Sequence, residues 1–214
     1  QDAGLLVGPM GPAELRQAIA GEISTVLAGF VSGCGWLTGE RSARLAREAT
    51  ERVAVALAAG GEDSDAPAIV ACLQEQGRLT AALILRSLLG GEPALAEAAL
   101  ARLSGLPPAR AAALLRDRRD LGFRALYRKA RLPAALETAF AAAAAAARRA
   151  GCFDGVPASP GLSRGLIREV IAACAGQTGP EAAALMALLR RLETEAAREE
   201  ARGLAGALAD DAAF

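Results

Sequence analysis

The chain has 214 residues, 24 basic and 24 acidic side chains, 53% hydrophobic residues, 3% aromatic residues and no histidine. Its apolar content is mostly alanine and leucine, strong helix formers, while the β-branched and aromatic residues that strands favour are scarce. This excludes an all-β protein, disfavours a parallel α/β sheet, removes the usual general base and commonest metal ligand, and argues against attachment to DNA or membrane by global charge.

The length suits one or two domains with a real core. At the start, Gly4 to Met10 is apolar but too short, and lacks the basic leader, for a signal peptide. Pro12 opens the first predicted helix, which runs to about Val31 with Leu15, Ile19, Ile23, Val26, Leu27 and Phe30 on one stripe. The glycine-rich stretch from Gly29 to Gly39 follows a helix and lacks a Gly-Lys-Ser/Thr ending, so it is no phosphate loop. Cys34 lies within it, with no neighbouring base to make a thiolate. A second helix carries Leu45, Ala49, Val53 and Leu57 and stops at Gly60-Gly61. The acidic loop Glu62 to Asp65 reads as an N-terminal cap for a helix at Pro67; a calcium loop would need a bidentate glutamate downstream.

From 66 to 150 the punctuation becomes regular. Leu79, Leu106 and Leu132, spaced by 27 and 26 residues, each precede a helix start at Thr80, Pro107 or Pro133. Short helices on either side of evenly spaced breaks are the pattern of stacked helix pairs, which must cover one another's apolar faces. Ala101 to Ala111 also satisfies the steric needs of a helix-turn-helix turn, yet the would-be reading helix offers little beyond Arg110 and Arg116 to base edges. The longest apolar run, Ala139 to Ala147, is about half of what a membrane-spanning helix requires.

Residues 151–162 concentrate glycine and proline and mark a linker between a helical domain at 1–150 and a C-terminal helical hairpin at 163–214. The hairpin's leucines, Leu185, Leu188, Leu189 and Leu192, imply packing on the body of the chain, with a homodimer seam as the alternative. Among the four cysteines, Cys34, Cys72, Cys152 and Cys174, no Cys-x-x-Cys pair occurs; Cys72 and Cys174 sit in apolar helical patterns and read as buried thiols of a reducing compartment.

The most basic window is 116–131, where seven cations face Asp117 and Asp120. Placed on a helix from about Leu121, Arg124, Arg128 and Arg131 share one face. With Arg116, Arg119 and Tyr127 they make the candidate binding residues. One reading is a ridge of guanidinium groups that grips phosphates. The other is a solvated face, or one paired with Glu193, Glu195, Glu199 and Glu200. Catalysis finds no support, since serines and threonines lack a base and Glu-x-x-His metal motifs cannot exist without histidine.

Three runs, Leu83 to Leu88, Glu97 to Pro107 and Leu121 to Tyr127, carry a family likeness. Over about residues 66–150 the chain resembles a family of uncharacterised, mainly alphaproteobacterial proteins, a domain of unknown function with HEAT-like helical repeats. That resemblance implies an all-helical scaffold and supplies no catalytic residues.

The sequence thus predicts an all-α protein of stacked antiparallel helix pairs, a short HEAT-like solenoid or bundle with a C-terminal hairpin. The function expected is that of a non-enzymatic cytoplasmic scaffold, for protein interaction or regulation. Its partner would be another protein, or a second copy through the C-terminal helices, with no cofactor, metal or membrane. Nucleic-acid or phosphate-ligand binding through the arginine ridge is the alternative.

Overall fold

A computed structural model describes residues 38–59, 66–154 and 162–211, together with Gly21 and Thr25. The helix expected over 12–31 (apart from these two helical residues), the Cys34 turn and the acidic loop at 62–65 lie outside the described residues. Within them the chain forms only helices. These are α1 (Gly39–Ala59), α2 (Ala66–Glu75), α3 (Ala81–Leu89), α4 (Pro93–Ser104), α5 (Pro108–Arg116), α6 (Asp120–Lys129), α7 (Glu137–Arg149), α8 (Arg164–Cys174) and α9 (Pro180–Asp211), with one 3-10 turn at Ala134–Leu136. The expected all-α class is what the structure has.

The chain divides into two compact units, 1–79 and 80–214. The division therefore falls at Leu79, and the Gly/Pro-rich stretch at 151–162 lies inside the second unit.

In the first unit α1 packs on α2, which buries Ala66, Ile69, Val70 and Leu73. On α1 the buried side chains are Ser42, Thr50 and Ala54, while Leu45 is exposed. The stripe drawn through Leu45, Ala49 and Val53 is thus rotated from the buried one. Hydroxyls tolerate that position because they are satisfied locally: Ser42 donates to the Thr38 carbonyl at 3.0 Å and Thr50 to the Ala46 carbonyl at 2.9 Å. Arg78 Nη2 also donates to Thr50 Oγ1 at 3.0 Å.

In the second unit α3 is the innermost helix. Every residue from Leu83 to Leu89 is buried, as expected of a helix that is apolar nearly all round. Thr80 caps it by accepting from the Leu83 N–H at 3.1 Å. Each helix packs on its successor from α3 through α9, and α7 in addition returns to α3. An open stack makes only neighbour contacts; the return of α7 gives this unit a closed, bundle-like core. Alanines make it possible. Ala139, Ala143, Ala144, Ala146 and Ala147 are all buried, and their small side chains let α7 lie against both α3 and α8. The apolar run of the sequence is therefore a core helix. The hairpin of α8 and α9 is packed on the body through α7, with Ile167, Val170, Leu185, Leu189, Leu192 and Ala196 buried.

Two of the leucine-led breaks share one backbone device. Gly105 and Arg131 both adopt the left-handed conformation, at φ 66° and 55°, each followed by a half-buried leucine and a proline. Glycine does this without strain, whereas an arginine there crowds its Cβ against the backbone.

Candidate functional site

The basic window spans the corner between α5 and α6, the whole of α6 and the turn after it. α5 ends at Arg116, and Asp117 turns the chain with its carboxylate accepting from the Arg119 N–H at 3.0 Å. A single side chain of α7 fixes the corner from below. Arg148 is half-buried, donating through Nη1 to the Leu115 carbonyl at 2.7 Å and through Nη2 to Asp120 Oδ1 at 3.2 Å. It thereby satisfies a C-terminal carbonyl of α5 while pairing with the acid that opens α6. Burial lowers its pKa from the usual arginine value, and Asp120 opposes that shift.

Heptad-like spacing divides α6 cleanly. Phe123, Leu126 and Tyr127 are buried, while Leu121, Arg124, Ala125, Arg128 and Lys129 are exposed. Tyr127, placed among the binding residues from sequence, is a core residue instead. Its ring lies 5.2 Å from Phe140 and 6.0 Å from Phe123, and its hydroxyl donates to the Pro133 carbonyl at 2.7 Å. Burial, helped by the Glu137 charge, raises its pKa well above the ordinary tyrosine range. A phenol so enclosed offers nothing to an external ligand.

The structure brings Arg124 and Arg128 together, both pairing with half-buried Glu137 at 3.8 and 3.4 Å. Arg116 stands apart, held by two bonds to Glu97 at 2.8 and 3.0 Å with its guanidinium 5.9 Å from the Phe153 ring centre. That bond to Glu97 raises the Arg116 pKa further. Arg131 does not continue the ridge, because α6 ends at Lys129 and the left-handed residue at 131 turns the chain toward Pro133. No ion pair occurs at Arg118, Arg119, Lys129 or Arg131, all exposed, among the described residues.

The acidic C-terminal residues do not pair with the ridge. Glu195 takes buried Arg86, Glu193 takes Arg168 at 2.8 Å and Arg164 at 3.9 Å, Glu200 takes Arg164 at 3.8 Å, and Glu199 accepts the Leu162 N–H at 3.2 Å. α9 runs along α8, so its carboxylates meet the cations of that neighbour. Arg86, which sequence reasoning passed over, had one signal: a lone charge inside the apolar run from Leu83 to Leu89.

The helix-turn-helix geometry is partly met. Ala101 and Ala111 are buried across the left-handed Gly105, but the second helix exposes Pro108, Ala109 and Ala113 beside Arg110 and Arg116. Such a face has few groups for base edges. Cys152 is a half-buried and Cys174 a buried free thiol, and burial raises the pKa of both. No group of three metal-ligating side chains occurs among the described residues, and none of their helices is long and apolar enough to cross a membrane.

Fold and surface together define an all-α protein whose distinctive exposed feature is a rigidly held basic corner. The chain belongs to the bacterial family described as "Uncharacterised protein conserved in bacteria" (DUF2336), whose model matches residues 7–164. The match extends beyond residues 66–150, the stretch that carries the resemblance in the sequence. No curated protein and no solved structure matches the chain.

Proposed function

We propose that this chain is a non-enzymatic scaffold of the bacterial cytoplasm that binds another protein through the α5–α6 corner and the outer face of α6. One observation carries the reading: Arg118 and Arg119 before α6, and Lys129 and Arg131 at its far end, are exposed without ion pairs among the described residues, and Arg148 holds the start of that helix. Cations presented on a fixed backbone attract an anionic partner at little ordering cost. Free thiols at Cys152 and Cys174 suit a reducing compartment. Nucleic acid or a phosphate ligand is the alternative occupant of the same corner, favoured by the guanidinium groups of Arg124 and Arg128.

The test compares co-purification from lysate of the source organism by the wild type and by a triple variant, Arg118→Glu, Arg119→Glu and Lys129→Glu. A defined protein retained by the first and lost by the second supports the scaffold. Nuclease-sensitive material with no protein partner supports the alternative, and repeated recovery of nothing defined counts against both.

A further inference from the structure

We infer that the exposed face of α6 docks an acidic protein segment bearing an apolar anchor, seated on Leu121 and Ala125 with Arg124 and Arg128 on one side and Lys129 on the other. The inference rests on the scaffold reading and names the chemistry of its partner. Leu121 is 80% exposed, more than Leu45 or Leu204, the other large exposed apolar residues among those described. A single exposed leucine is ordinary. Here, however, Leu121 and Ala125 stand one turn apart and form an apolar line down the middle of the outer face. On the helical wheel Arg124 and Arg128 flank that line on one side and Lys129 on the other.

The helix cannot rotate to hide the line, because Phe123, Leu126 and Tyr127 hold the opposite face in the core. An apolar centre with a charged rim is the anatomy of a protein interface. A phosphate backbone, by contrast, calls for cations and hydrogen-bond donors and leaves an apolar centreline unused. Charge complementarity selects an acidic partner. Arg124 and Arg128 share Glu137 at 3.8 and 3.4 Å while remaining 50% and 70% exposed. Such surface pairs are weak enough to exchange for an incoming carboxylate.

The test uses the full chain and three fluorescein-labelled probes in anisotropy titrations. One probe is a glutamate-rich helical peptide with leucines at i and i+4; the second replaces those leucines with serine; the third is a single-stranded DNA oligonucleotide. The leucine peptide is expected to bind at least tenfold tighter than the serine peptide. Leu121→Ser should abolish that advantage without altering serine-peptide binding, and Ala125→Glu should weaken both peptides. Equal affinity for the two peptides, or an advantage that survives Leu121→Ser, overturns the anchor but leaves the basic corner as a binding surface. Binding of the oligonucleotide alone overturns the inference in favour of nucleic acid. Binding of no probe overturns the corner itself and the reading above with it. Unchanged urea midpoints for both variants keep folding out of the comparison.

Discussion

The Tyr127 phenol gives the sharpest quantitative test, because it is the only tyrosine in the chain. Tyr127→Phe keeps the ring against Phe140 and Phe123 and removes only the hydroxyl that donates to the Pro133 carbonyl at 2.7 Å. Losing one buried hydrogen bond costs about 1–2 kcal/mol. Removing the ring with Tyr127→Ala should cost roughly 3–5 kcal/mol. The pH dependence follows from the raised folded pKa. Below about pH 10 the phenol is protonated in both states and its contribution is fully present. Above that the unfolded chain releases the proton while the folded one keeps it, so the unfolded state binds fewer protons and stability falls with rising pH. The loss is about 1.4 kcal/mol per pH unit for the wild type and absent for the phenylalanine variant. The two urea-derived stabilities, separated by about 1–2 kcal/mol at pH 7, should therefore converge near pH 11, about one unit above the unfolded pKa. Phenolate absorbance should appear only as the chain unfolds. A difference that stays constant from pH 7 to 11, or phenolate forming in the folded protein near pH 10, refutes the enclosed-phenol reasoning.

Arg148→Met should cost roughly 2 kcal/mol by urea denaturation, because the Leu115 carbonyl loses a charged donor, whereas Asp120→Asn on the exposed side of the same pair should cost under about 1 kcal/mol. Arg131→Gly should raise stability by up to about 1 kcal/mol by relieving left-handed strain, and Arg131→Val should lower it; equal effects would show that the turn is unstrained. Arg86→Leu should lower the urea midpoint because Glu195 loses its ion pair with buried Arg86, while the double change Arg86→Leu and Glu195→Leu should cost less than the single one.

How far the sequence speaks depends on which interaction decides each feature. Helix positions are legible because alanine, leucine and evenly placed leucine-led breaks act locally, within a turn or two of the chain. The burial of α1 was not, since Ser42 and Thr50 look polar yet satisfy their hydroxyls on their own helix and so become compatible with a buried face. Tyr127 was misplaced for a related reason: a tyrosine on an amphipathic helix fits the core or the surface equally, and only the Pro133 carbonyl, supplied by the turn after α6, decides between them. The partners of Glu193 to Glu200 depend on which helix α9 lies beside. That is a tertiary choice which periodicity leaves open.

The basic corner shows why a balanced chain can still present one sign of charge. Equal numbers of acids and cations cancel only at distances long compared with the screening length, about 8–10 Å in physiological salt. Within that distance the folding pattern decides. Four carboxylates of α9, Glu193, Glu195, Glu199 and Glu200, are engaged by Arg86, Arg164, Arg168 and the Leu162 N–H. Glu97, Glu137 and Asp120 take up Arg116, Arg124, Arg128 and Arg148. What this leaves exposed is Arg118 and Arg119 before α6 and Lys129 and Arg131 at its far end, without ion pairs among the described residues. Zero net charge, which from composition counted against an electrostatic partner, therefore constrains the far field alone and is compatible with attraction at contact range.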